Sequence, residues 1–171
     1  LQSHLRQGMS KKYVEAKAIL PATVDLQKRH MDLTEIQGSR HEIAVFKCRQ
    51  AAELVKGPVI SEDTSLGFNA FKGLPGPYIK YFLEAVGVDG LYNMLQAFPD
   101  KSAVAYCTVA YWDPSTMPEP VVFEGHVDGS VVSRRGPHNF GCDPVFETGA
   151  SSEPKTFVEM SQEETYTTSP R

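Results

Sequence analysis

Residues 59–80 constrain this chain more than any other stretch. The run Val59-Ile60-Ser61-Glu62-Asp63-Thr64-Ser65-Leu66-Gly67-Phe68-Asn69-Ala70 starts apolar, meets two adjacent carboxylates and resumes as a strand-like run. It then turns sharply through Gly73-Leu74-Pro75-Gly76-Pro77. The apolar start predicts a buried strand with Glu62 and Asp63 at its C-terminal end, the edge of an α/β sheet where ligands bind. Neighbouring strand residues point to opposite faces, so only one of the two faces a given cleft. A carboxylate there suits Mg²⁺, which takes oxygen ligands and commonly binds substrate phosphates as well. A polar strand terminus meeting solvent is the alternative, because most carboxylates are exposed.

The turn carries two Gly and two Pro in five residues, enough to impose an unusual backbone path. Pro77 suits the first turn of a helix. The spacing of Ile79, Phe82, Leu83 and Val86 predicts that helix over 78–86, with Gly87 as its terminator. Lys80 lies off this apolar stripe, near the helix start. There it either meets an anion or pairs with Glu84 on a solvated face.

Upstream, Ser10 is placed to cap a helix ending at Leu20, before Pro21. Lys11 and Lys12 in its first turn oppose the helix dipole, which leaves either an anion site or an exposed, mildly unfavourable pair. Residues 22–26 are a short strand candidate, and 31–33 lie near a second strand end. In the loop that follows, Glu35 is a second candidate metal ligand or simply a solvated side chain. Ser39-Arg40-His41-Glu42 matches a capping box, and the helix it opens runs to about Val55. Ala44, Cys48, Ala51 and Val55 form its buried stripe. Lys47 borders the stripe, so its stem can pack while its ammonium reaches a cleft. Arg49 and Glu53 are spaced as a solvated pair.

Downstream, Asp89 is placed to cap a helix whose core face holds Leu91, Leu95 and Phe98. Residues 102–112 read as a long central strand, with small and β-favouring residues on both faces. Residues 121–126 and 127–133 follow as antiparallel strands around Gly125 and Gly129. His41 and His126 read as surface residues. In the run Arg134 to Phe146, Phe140 offers a stacking face and Asp143 offers acceptors for the N–H edge of a base. The alternative is a structural loop with Phe140 in the core. The tail reads as a short strand followed by a helix start at 161–164.

Length and charge narrow the function. A chain of 171 residues is one domain, or one with a small lobe. A net charge of −4 and a pI of about 5.7 exclude a general nucleic-acid binder, so any phosphate site is local. Cys48, Cys107 and Cys142 are odd in number and lack metal-ligand spacing. That fits reduced thiols and predicts a cytoplasmic protein. No apolar run approaches the roughly 20 residues of a membrane span.

Taken in order, Asp32-Leu33-Thr34-Glu35, Lys47, Ser61-Glu62-Asp63-Thr64, Gly73-Leu74-Pro75-Gly76-Pro77-Tyr78-Ile79-Lys80 and Phe140-Gly141-Cys142-Asp143-Pro144 resemble the inosine triphosphate pyrophosphatase family, eukaryotic type. The resemblance covers about residues 7–171. It implies an elongated mixed α/β fold, with two lobes around a long central mixed sheet flanked by helices, and a homodimer. It also implies Mg²⁺-dependent hydrolysis of ITP, dITP and XTP to the monophosphate and pyrophosphate, with Mn²⁺ as a substitute metal. By position, Glu35 and Asp63 resemble the metal-linked carboxylates, and Asp63 is the expected catalytic base. Lys11, Lys12, Lys47 and Lys80 resemble the phosphate and substrate contacts, and Thr64 adjoins Asp63 in the substrate site. The run Phe140, Gly141, Cys142 and Asp143 resembles the base pocket.

The chain departs from the family at both termini. The family's first strand and its Thr-Gly-Asn correspond to a polar start ending in Gln7-Gly8-Met9. A substrate Lys and a Ser-His-Arg correspond to Thr165 and Ser169-Pro170-Arg171, so the base-contacting His is replaced by Pro170 while Ser169 and Arg171 match, and the family's C-terminal helix is expected to be missing. Low stability is the expectation, because lost strand and helix burial weighs on a marginal fold. The contrasting function is a weakened or inactive nucleotide-binding or dimerisation protein of the same fold.

Overall fold

The computed structural model describes residues 12–136, 141–149 and 154–171. Ser10, Lys11 and Phe140, all singled out above, lie outside the described residues.

Residues 12–19 form helix α1. The strand expected over 22–26 is not formed, and residues 31–33 reach none either. The Val24 N–H donates instead to the Pro21 carbonyl (2.9 Å) and the Leu26 N–H to that of Val24 (3.0 Å). Strand propensity is only realised where a neighbouring edge accepts the ladder, and no described residue pairs with this stretch.

Helix α2, Arg40–Val55, begins at the expected capping box: Glu42 N donates to Ser39 Oγ, and Ser39 N donates to Glu42 Oε2 at 2.8 Å. It buries Ile43, Ala44, Cys48, Ala51 and Ala52, while Val55 at the expected end of the stripe is exposed. Arg49 turns away from Glu53 and pairs with Glu119 across the β-structure.

Five strands follow: β1 Val59–Phe68, β2 Pro75–Gly76, β3 Ser102–Trp112, β4 Val121–Val131 and β5 Phe146–Thr148. Their order is β2-β1-β3-β4-β5, and every described pairing is antiparallel, so the described sheet is not mixed. β1 pairs with β3 without interruption, from Val59↔Trp112 to Phe68↔Ala103. Glu62 and Asp63 therefore sit mid-strand, opposite Val109 and Thr108, rather than at a strand end as expected. β4 is likewise one strand and not two. Its glycines admit neighbours. A Cβ on Gly125 would collide with the Pro170 carbonyl oxygen, and one on Gly129 with that of Glu147.

Helix α3, Ile79–Met94, holds the first expected helix and the start of the second, which abut at Gly87 (φ 71°), but it stops before Leu95, and Phe98, expected on the core face, is exposed. Helix α4, Gln162–Thr168, opens on a second capping box at Ser161 and Glu164. No described helix is long and apolar enough to cross a membrane.

Two cores result, on opposite faces of the sheet. Ile79, Val88 and Leu91 of α3, with Leu95 just after it, pack on Leu66, Phe68, Ala103, Ala105 and Val131. Ala44 and Cys48 of α2 pack on Ala110, with Trp112 and Val122 alongside. Burying each large side chain contributes about 1.5–3 kcal/mol. Leu66 and Phe68 share the face of Glu62 and Thr64. Ala110 pairs with Ser61, which shares the face of Asp63. The long strands thus pass from one core to the other, and the polar middle of β1 lies at the crossover.

Candidate active site

The alternation of β1 sorts its carboxylates into two separate clusters, as the sequence predicts. On the α2 face, Lys47 stands one residue before the buried Cys48. Its Nζ lies 2.8 Å from Asp63 Oδ1 and 3.6 Å from Glu35 Oε1. Lys80, carried to the same point by the first turn of α3, places its Nζ 3.3 Å from Glu35 Oε1 and does not depend on Glu84. Four of the residues selected from sequence, Glu35, Lys47, Asp63 and Lys80, are therefore one cluster drawn from a loop, two helices and a strand. Burial pushes the Glu35 carboxyl up, but the Tyr81 hydroxyl, Lys47 and Lys80 outweigh it and hold the group below its ordinary range.

On the other face, Glu62 pairs with Lys12 and Arg171. Lys12 Nζ is 3.1 Å from Glu62 Oε1. Arg171 donates to both Glu62 oxygens at 2.9 and 3.1 Å, and also pairs with the buried Glu15 of α1. This fork is the bidentate geometry for which a guanidinium is suited. Burial raises the Glu62 pKa, and Lys12 and Arg171 more than reverse that, leaving it depressed. Burial of Cys107 beneath, with Glu62 nearby, pushes that thiol up to about 12. Thr64 faces this second cluster, with its hydroxyl 3.4 Å from Glu62 Oε1. It adjoins Asp63 along the chain but not across the sheet.

The loop proposed for base recognition is described only from Gly141, which has φ 52°. Cys142 packs against the α3 core, its thiol pushed up to about 12 by burial, and its carbonyl accepts from Val145 and Phe146. Asp143 lies in the same turn.

Sequence reasoning missed four partners. Tyr81 Oη donates to Glu35 Oε2 at 2.8 Å. Tyr78 Oη accepts from the Gly38 N–H at 3.1 Å. Gln50 accepts from the Thr34 N–H at 2.7 Å. Glu15 takes Arg171. Only Glu15, one helical turn from Lys12, carried a local signal, because i and i+3 share a helix face. The others depend on contacts between distant segments.

Glu35 and Asp63 thus share the ammonium of Lys47, and Glu35 also meets Lys80, beside an antiparallel sheet. Residues 8–171 match the Ham1 family, and the chain belongs to that family. It is 51% identical over 157 residues to the inosine triphosphate pyrophosphatase of Emericella nidulans, covering 92% of this chain and 83% of the relative. It is 52% identical over 159 residues to that of Ajellomyces capsulatus, with the same coverage. Among solved structures, a HAM1 protein from Coxiella burnetii superimposes with a TM-score of 0.81 over 95% of this chain and 88% of its own, at 24% identity, which shows the fold.

Proposed function

We propose that residues 1–171 form one pyrophosphatase domain, which hydrolyses deaminated purine nucleoside triphosphates (ITP, dITP and XTP) to the monophosphate and pyrophosphate. The observation that carries this reading is the Glu35–Lys47–Asp63–Lys80 cluster, and the fungal relatives' names support the substrate class.

The donor set fits Mg²⁺. Glu35 and Asp63 offer hard carboxylate oxygens that converge on the single ammonium of Lys47, and one or two carboxylates plus substrate phosphates is the usual Mg²⁺ environment. Glu35 and Asp63 would hold the ion, with Mn²⁺ as a substitute. Bound there, it would draw charge from the phosphate oxygens. Lys47 and Lys80 neutralise the triphosphate and the pyrophosphate that leaves. Asp63 accepts a proton from a water as the water oxygen bonds to the α-phosphorus. The bond from that phosphorus to the bridging oxygen breaks, and pyrophosphate departs with its electron pair. By resemblance Lys11, Lys12, Thr64 and Arg171 would add substrate contacts and the run Phe140–Asp143 would receive the base, although Lys12, Thr64 and Arg171 stand on the opposite face of β1 from Asp63.

The reading includes a cytoplasmic homodimer, which sedimentation equilibrium at micromolar concentration tests through a mass of twice the chain. A non-catalytic nucleotide-binding protein is the second reading, favoured by one observation: the Arg171 guanidinium is already taken by Glu62 and Glu15. Pyrophosphate release from ITP, XTP, ATP and GTP with and without Mg²⁺ separates the two. Metal-dependent release, faster from ITP and XTP, supports the enzyme. Nucleotide binding without any release supports the alternative.

A further inference from the structure

Glu35 presents a physical problem. It belongs to a stretch, residues 21–38, that holds no helix or strand. A carboxylate on irregular chain is costly to order at the moment a cation binds, since fixing its backbone loses conformational entropy. A precise ligand needs a supporting shell that locks it beforehand.

The start of α3 supplies that shell. Tyr78 Oη accepts from the Gly38 N–H (3.1 Å) and lies 3.4 Å from the Gly38 carbonyl oxygen, pinning the loop backbone three residues beyond Glu35. Gln50 of α2 accepts from the Thr34 N–H (2.7 Å), pinning it one residue before. Tyr81 then holds the side chain itself, donating to Glu35 Oε2 at 2.8 Å. With Oε2 fixed, Oε1 is the oxygen turned to Lys47 and Lys80. The two oxygens have separate tasks: one is held by a phenol, and the other faces the charged cluster.

We infer that Tyr81 is a positioning residue for Glu35, setting the rotamer in which its Oε1 faces Lys47 and Lys80 before the metal arrives. The inference rests on the metal-site reading above. Groups that hydrogen-bond a metal ligand from behind typically change affinity 10–100-fold when removed. Tyr81 is 47% exposed and sits outside both cores, so Tyr81→Phe removes the hydroxyl without disturbing packing.

The test is Mn²⁺ titration of the metal-free protein, followed by water-proton relaxation, for the unaltered chain, Tyr81→Phe and Glu35→Gln. The expected result is an apparent Kd for Mn²⁺ raised about tenfold in Tyr81→Phe, an unchanged melting temperature and a larger loss in Glu35→Gln. In turnover, the KM for Mg²⁺ rises by more than kcat falls. An unchanged Kd in Tyr81→Phe beside a weakened Glu35→Gln overturns the role of Tyr81 alone. An unchanged Kd in both variants overturns the metal-site reading and the Tyr81 role with it.

Discussion

At the residue scale, the adjacent carboxylates Glu62 and Asp63 do different work because a strand sends them to different faces. Asp63 joins Lys47, while Glu62 joins Lys12 and Arg171. That division was legible from β alternation alone. The identity of the Glu62 partners was not, because Arg171 lies 109 positions away along the chain. Glu62 has its folded-state pKa below the ordinary 4.5. Its pairs therefore stabilise the fold fully above that value, and the contribution is lost as pH falls through the depressed folded pKa. Glu62→Gln should cost about 3–5 kcal/mol at pH 7, as breaking one side of a buried pair does. Melting curves from pH 7 to about pH 3 should show the gap between the two proteins closing on acidification. A gap that stays constant over that range would mean that Glu62 contributes by shape and not by charge.

At the element scale, local signals were read well and pairing was not. The Ser39–Glu42 capping box fixed the start of α2, and small residues on both faces marked β3 as central, where the structure places it between β1 and β4. The stretch 22–26 carries comparable strand propensity and forms none, since a strand is completed by its neighbour. The polar run Ser61–Ser65 looked like a strand terminus, yet β3 pairs with it throughout. Helix α2 delivers Lys47 to Asp63, so its cap matters to the site. Ser39→Ala should cost about 1 kcal/mol, which lowers the melting temperature by about 2–4 °C in a domain of this size. Pyrophosphatase activity well below the transition should persist. A much larger loss would show that Ser39 supports more than the helix end.

At the scale of the whole molecule, two helices cover opposite faces of the same long strands, and the charged residues collect where cover changes sides. Composition predicted this much: in an acidic chain any phosphate site is local. It could not say where, because that place is made by the register of β1 on β3 and by the first turn of α3 reaching the Glu35 loop. The central claim is that this crossover cleaves a triphosphate with Asp63 as the proton acceptor. Its most direct test is pyrophosphate release from ITP and XTP with Mg²⁺, comparing the unaltered chain with Asp63→Asn. The account predicts release from both nucleotides, reduced at least about 10²-fold in Asp63→Asn, in line with losing general-base catalysis. Equal release by the two folded proteins would contradict it.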